Sequence, residues 1–438
     1  MEPVVNKPNI EKCILSFSHD RFSSRKSADR ISIEKARREI AAGKKGVSHL
    51  ILRAEDDAID RLKFLFLIRG VPLMCYALMN LLLSSVKEVV VIGSEEVRRV
   101  LERFLEIAGD HGKIIRFAPE KSENLSLLHT LQRGREHLTL DARELVLFQP
   151  GDLPFLYDIE KIVQDRDIRG HDLILWLNSR QAMFPRYVTD EHSEFVQRNY
   201  HYRVIDEDRG ELHDIKEPNT YPINLHAIET DIIELLHNTR KDGKILRAGL
   251  IKALTLPLRL FHLLPVLADH FLRFPADMRR LRPGDSFPFG MHLRNFNRGA
   301  AVLLNTAFTA KMHGDPALVS DIDALEDWED FESLIHHAER ECGEDGLTRI
   351  HPGGEILLTF REKAMPQLIK ELPMFRNFPQ YMNGLYRDLE MEYAPFNGRG
   401  EYAAPNQNQR QVRHAFDWYS KRTEQFKNQP ADQMGIRS

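Results

Sequence analysis

The chain has 438 residues and a formal net charge of −4, with 61 Lys and Arg against 65 Asp and Glu. That balance lacks the basic excess of a nucleic-acid-binding protein, and the length allows about three average domains or one elaborated α/β domain. Three cysteines, Cys13, Cys75 and Cys342, are too scattered for a disulfide framework or a zinc pattern, which points to a reducing, cytoplasmic setting.

Residues 1–45 read as a polar leader with a helix over 33–42. Charges run through its first thirty positions, so it lacks the apolar core of a signal peptide. From Val47 the pattern changes. Short apolar runs at 47–52, 89–92, 114–117, 145–148 and 173–177 alternate with longer amphipathic stretches at 73–83, 97–107, 125–137 and 159–163. Strand alternating with helix predicts a parallel sheet covered on both faces. Runs without internal alternation suit strands buried on both sides.

Beyond Trp176 the regularity falls away. Residues 202–206 and 211–216 predict a hairpin around Asp208-Arg209-Gly210. Helices are expected at 231–237, within 249–274 and at 300–311. The apolar stretch 249–274 carries Lys252, Arg259, His262, Asp269, His270 and Arg273, too many charges for a spanning helix. Its mixture of basic and apolar residues suits a helical cap on a core or contact with a membrane surface. An acidic segment follows at 321–332, then a helical extension over 336–393. The Asn-, Gln-, Pro- and Gly-rich residues 394–438 are expected to be loosely ordered.

Two segments carry the strongest chemical signal. The run Gly151-Asp152-Leu153-Pro154-Phe155 follows the apolar stretch 145–148 and places a carboxylate where a buried strand ends, the usual ligand position in open α/β sheets. A carboxylate there suits a hard divalent cation shared with substrate phosphates; the bland alternative is a turn aspartate. The second segment, residues 63–73, runs from Lys63 through five apolar residues and Arg69 to Gly70-Val71-Pro72-Leu73, a helix entry with Pro near the start.

Together these segments resemble the nucleotidyltransferases of the molybdenum-cofactor guanylyltransferase-like type, whose sheet is of the GT-A class. The family's lysine, apolar run and Gly-x-Pro-Leu are similar to 63–73, and its metal-bearing Gly-Asp-x-Pro-Phe is similar to 151–155. Its Asp-Ile-Asp segment is similar to Asp321-Ile322-Asp323, and its Lys-Glu-Gly-Asn to Lys216-Glu217-Pro218-Asn219. The resemblance implies a mostly parallel GT-A domain over 46–335 with helices on both faces and a helical insertion at about 231–298, where an acceptor pocket has room to form. It implies Mg2+ on Asp152 and Asp323, and a nucleoside triphosphate contacted by Arg53, Arg61 and Lys63. It further implies a phosphorylated small-molecule acceptor contacted by Lys216, Glu217 and Asn219, with Lys63 and Asp152 as the catalytic pair.

The family follows its first strand with a glycine-rich loop. Residues 53–62, following the strand expected at 47–52, contain no glycine and four carboxylates. Three readings follow: a magnesium-dependent nucleotidyltransferase releasing pyrophosphate, a catalytically impaired nucleotide-binding or regulatory relative, and a glycosyltransferase using a sugar nucleotide. The adjacent His336 and His337 diverge on a helix and cannot clamp one metal. Arg279, Arg280, Arg282, Arg294 and Arg298 form a local basic region suited either to phosphates or to surface ion pairs. Oligomeric state stays open.

Overall fold

The computed structural model describes residues 9–18, 21–23, 54–55, 58–60, 63–120, 126–180, 202–228, 257–282, 290–322, 325–343, 345–376 and 409–428. The helices expected at 33–42 and 231–237, the strand expected at 47–52, and Arg53, Arg61 and Asp323 lie outside these residues.

Strand β1 (Lys12–Ser16) is paired along both edges. On one side it pairs in parallel with β2 (Glu88–Gly93), which pairs in parallel with β3 (Ile114–Pro119). On the other it pairs in parallel with β4 (Val146–Pro150). Beyond these lies β5 (Leu173–Trp176), which leads directly into β6 (Asn178–Ser179). Next along the chain are β7 (Tyr202–Asp206), β8 (Glu211–Lys216) and β9 (Tyr221–Ile223), then β10 (Gly290–His292) and β11 (Phe308–Lys311). The main sheet has the order β11-β5-β9-β4-β1-β2-β3. Only β9 runs against its neighbours. A second sheet, β6-β8-β7-β10, carries the predicted hairpin, whose turn closes at Gly210 with φ 70°.

The sheet is covered on both faces. Alternate residues along β1 and its exit feed two cores: Cys13, Leu15 and, just past the strand, Phe17 pack with one cluster, and Ile14 with the other. The first core holds α1 (Leu73–Leu82) and α2 (Glu95–Ala108), and the second holds α3 (Leu127–His137). Approach on the α3 side is close, since a Cβ on Gly134 would lie 2.4 Å from Ile14 Cδ1. The chain is therefore mixed α/β with a mostly parallel sheet covered by helices on both faces, as expected.

Four local expectations need correction. The stretch read as a polar leader holds β1. Its Cys13-Ile14-Leu15 run is short and set among charges, but all three side chains are fully buried, so the sheet domain starts before residue 46. The segment 300–311 is not one helix. After α4 (Pro257–Ala268) and α5 (Phe274–Leu281), α6 (Leu293–Leu304) ends at Asn305, which takes the left-handed conformation at φ 52°. Asn is among the residues that tolerate this helix stop, and Phe308–Lys311 then pairs with β5. The insertion is likewise not wholly helical, because it contains β10 of the second sheet.

The fourth correction concerns the C-terminal region. The first core continues through α7 (Leu325–Cys342), α8 (Gly346–Ile350), α9 (Gly354–Lys363) and α10 (Met365–Glu371) to α11 (Gln409–Lys427). That last helix lies within the region read as a loosely ordered tail. Its Ala415, Tyr419 and Phe426 fall on one helical stripe and are buried; polar composition around them hid the stripe.

Candidate functional site

Strand order reverses at β1, with β2 and β3 on one side and β4 on the other. The crevice outside the carboxyl ends of β1 and β4 is thus the topological switch point, where open α/β sheets bind ligands. Two turns form its floor. After β4 the chain turns at Gly151, whose N–H donates to Ser16 O at 2.7 Å. Only glycine fits, since a Cβ would lie 2.0 Å from Phe17 Cδ1. Asp152 follows immediately and is buried.

Lys63 reaches the same point from another element. It opens a 3-10 turn (Lys63–Leu65), and the neighbouring Phe64 ring packs edge-on against Phe17 at 5.3 Å. Its Nζ donates to Asp152 Oδ2 at 2.5 Å with both side chains buried. Beyond it the chain forms a hairpin of Leu67–Ile68 and Val71–Pro72. Arg69 and Gly70 occupy its two-residue turn with φ 49° and 75°, the positive-φ pair of a type I′ turn. Leu73 N–H then donates to Phe66 O at 2.8 Å, and α1 begins.

Two further segments singled out from sequence join the site. Ile322 N–H donates to Asp152 O at 3.0 Å, which brings the Asp321-Ile322 segment onto the Gly-Asp-Leu-Pro-Phe turn; its successor Asp323 lies outside the described residues. Lys216, at the end of β8, donates to Val319 O at 2.7 Å and to Asp321 Oδ1 at 3.1 Å. Asn219 N–H donates to Leu318 O at 2.8 Å. Glu217 is half-buried on the connection between them. Four segments spread over 260 residues of sequence, Lys63 to Ile322, are thus joined by one continuous set of hydrogen bonds.

The turn after Asp152 is held from behind. Phe155 packs on Phe331 of α7 at 4.6 Å and on Tyr419 of α11 at 6.0 Å. Asn80 Nδ2 donates to Phe155 O at 2.9 Å, and Tyr419 OH accepts from Leu156 N–H at 2.8 Å. Pro154 therefore leads into a segment fixed by three helices. The Arg69 turn is fixed similarly: Glu332 Oε2 accepts Arg69 N–H at 2.8 Å, and Glu339 accepts from Arg69 Nε at 2.7 Å and from Arg361 at 3.1 Å. Burial pushes the Glu332 carboxyl up to about 8, although Arg69 pulls the other way.

Sequence reasoning missed two parts of the site. The first is the true start of the segment that leaves the strand at the switch point. Because β1 is Lys12–Ser16, the loop after it begins at Phe17, not Arg53. Its opening residues 17–26 contain no glycine either, but they carry Arg21, Arg25 and Lys26 against one carboxylate, Asp20. The carboxylate-bearing segment nevertheless returns to these residues: Arg21–Ser23 pairs antiparallel with Ala58–Asp60, with Arg21 opposite Asp60, and Ala58–Asp60 pairs in turn with Ala54–Glu55. Ser18 ends the described part of that strand exit, and its Oγ is buried without a hydrogen-bond partner among the described residues. The second is the carboxylate pair Glu332 and Glu339 behind the Arg69 turn, of which the acidic composition of 321–332 disguised Glu332 as part of a solvated helix start.

Of the remaining candidates, the two histidines and two of the arginines are engaged in packing or ion pairs among the described residues. His337 packs against Phe416 at 5.1 Å, and burial lowers the protonation of both His336 and His337. Arg282 faces Asp214 at 3.5 Å, and Arg294 pairs with Asp208 at the hairpin turn. No group of three or more His, Cys, Asp or Glu side chains is gathered as a metal site among the described residues.

No protein-family model matches this sequence, and no curated protein matches it. Among solved structures, the chain is similar to a hypothetical transferase structure from Thermus thermophilus, 12% identical with a TM-score of 0.36, over 73% of this chain and 100% of that one. It is also similar to the inositol-1-phosphate CTP transferase from T. maritima, 14% identical with a TM-score of 0.32, over 56% of this chain and 82% of that one. Likeness at this level adds nothing to the fold assignment, which rests on the sheet order and registers.

Proposed function

We propose that the chain is a magnesium-dependent nucleotidyltransferase that joins a nucleoside monophosphate to a phosphorylated small-molecule acceptor and releases pyrophosphate. One observation carries this reading: the hydrogen-bonded set Lys63, Asp152, Ile322, Asp321 and Lys216 at the switch point. The donor chemistry suits magnesium. Mg2+ is usually held by one or two carboxylates, waters and substrate phosphates rather than by a protein cage, and Asp152, with Asp323 one residue beyond Ile322, supplies that number. When bound, the ion would offset charge on the phosphates.

The chain's own residues bind and orient. Lys63 holds a cationic point charge beside Asp152 and would supply it to phosphate oxygens. Lys216 and Asn219 mark the side on which the acceptor would lie, with the Asp321 carboxylate holding the Lys216 ammonium in place. Transfer of this kind depends on positioning and electrostatics rather than on a covalent nucleophile.

The experiment is a pyrophosphate-release assay with each nucleoside triphosphate, magnesium and a panel of sugar and polyol phosphates, run beside calorimetric titration of the same nucleotides. Release that needs Asp152 supports the reading. Nucleotide binding without release from any acceptor favours the regulatory relative, and failure of every nucleotide to bind sinks both.

A further inference from the structure

We infer that the outer face of residues 257–281 is a docking surface for an anionic phospholipid bilayer. Among the described residues, seven large hydrophobic side chains are exposed, and five of them, Phe261, Leu264, Phe271, Leu272 and Leu281, lie in this one helical run. Phe261 is 71% exposed and Leu272 72%. Scattered single hydrophobics on a surface are ordinary, whereas a cluster marks an interaction site.

The inner face of the same run is already satisfied. Leu263 and Val266 pack with Met291, and Phe274 and Met278 pack with Ile205 and Leu212. His270 Nδ1 lies 2.7 Å from Gly290 O. The run is therefore apolar on both sides, unlike an ordinary surface helix, which is polar outside. A π-helical segment, Asp269–Arg273, joins α4 to α5. Its wider turn leaves both Phe271 and Leu272 outside while His270 and Phe274 stay in. Segments of this kind are often found at functional sites.

Charge selects the occupant. Residues 257–282 carry five arginines and two aspartates. Asp269 is buried, with Oδ2 accepting the His292 N–H at 2.9 Å. Asp277 is half-buried and shared among His292 Nε2 at 3.3 Å, Arg280 at 3.5 Å and Arg273 at 3.8 Å, so one carboxylate faces several cations and the surface keeps a basic excess. Arg273, Arg279 and Arg280 remain exposed beside the apolar stripe. A helix with protruding apolar residues and basic flanks lies in the bilayer interface, and its binding grows with buried apolar area and with anionic lipid. A second copy of the same face would bring like charges together. No described helix is long and apolar enough to cross a membrane, so the contact is peripheral. This inference is independent of the proposed reaction.

The test is flotation of the full chain with vesicles of phosphatidylcholine alone and of phosphatidylcholine mixed with phosphatidylserine. Binding to the mixed vesicles, weakened by salt, is expected. F271S/L272S should lower it by roughly tenfold or more, and R279E/R280E should remove the preference for phosphatidylserine. All four side chains are exposed, so thermal unfolding monitored by circular dichroism should match the parent. Absence of flotation with mixed vesicles overturns the inference, as does binding that neither variant changes. Self-association in sedimentation velocity that F271S/L272S abolishes, without vesicle binding, would assign the face to a second copy and equally overturn it.

Discussion

Lys63 Nζ and Asp152 Oδ2 lie 2.5 Å apart in a buried ion pair that joins segments 89 residues apart in sequence. Removing one member of a buried pair leaves an uncompensated charge and costs about 3–5 kcal/mol, whereas replacing both with neutral groups is often close to neutral. Asp152→Asn and Lys63→Met should each therefore destabilise the fold, and the double variant should recover most of the loss in urea unfolding. Magnesium-dependent nucleotide binding should be lost in all three. A double variant that regains stability and also binds nucleotide would remove the pair from the site.

Gly151 permits the close approach of the two strand ends. A Cβ there would meet the Phe17 ring at 2.0 Å and Ser16 O at 3.0 Å. Gly151→Ala should cost about 1–3 kcal/mol through overpacking, and part of that should return in Gly151→Ala/Phe17→Leu, since the smaller side chain yields. Urea midpoints of the three proteins check this. An equal cost with and without Phe17 would place the strain in the backbone instead.

How much of this was legible in the sequence follows from the physics of each segment. The strands at 89–92, 145–148 and 173–177 announce themselves because each is a short but unbroken apolar run set among amphipathic stretches. The Gly151 to Phe155 turn and the Lys63 segment were found because their glycines and prolines are required by geometry. Strand β1 is not legible in this way. Its buried residues are few, they include a cysteine and a serine, and charged neighbours such as Glu11 and Lys12 lower the local average. Only pairing with β2 and β4 reveals it. Convergence of Lys216 and Asp321 on Asp152 depends on the crossing between two sheets, which local pattern does not encode. The stripe on α11 was outvoted by the polar residues around it.

Glu332 gives stability a distinct dependence on pH. Its carboxyl is raised from 4.5 to about 8 in the folded protein, so between those values the folded state binds more protons than the unfolded one. Stability from this group is full below 4.5 and falls as pH rises towards 8, by at most about 1.4 kcal/mol per pH unit. His351 acts in the opposite sense: burial holds it down to about 3 against 6.5, so its contribution rises with pH between those values. The two oppose each other between 4.5 and 6.5; above that the Glu332 decline continues until Lys113, held down to about 8 by burial, begins to oppose it near pH 8. Unfolding free energy should therefore decline between pH 6.5 and 8, and Glu332→Gln should flatten that decline. A slope in the variant equal to that of the parent would assign the dependence elsewhere.

The C-terminal helix α11 meets the Asp152 turn through Tyr419. Tyr419 OH accepts Leu156 N–H at 2.8 Å, four residues beyond Asp152, while its ring packs on Phe155. Tyr419→Phe keeps the ring and removes the acceptor, leaving a buried amide unsatisfied at a cost of about 1–3 kcal/mol. The backbone amide of Leu156 should then exchange faster with solvent than in the parent, read by hydrogen-exchange mass spectrometry on the peptide spanning 151–158. Because Asp152 lies in the same turn, nucleotide affinity should fall with it, although Tyr419 itself is fully buried and touches no ligand position. Faster exchange with unchanged affinity would show that the turn holds its carboxylate in place without help from α11; a helix lying more than 250 residues downstream would then serve only to cover the core.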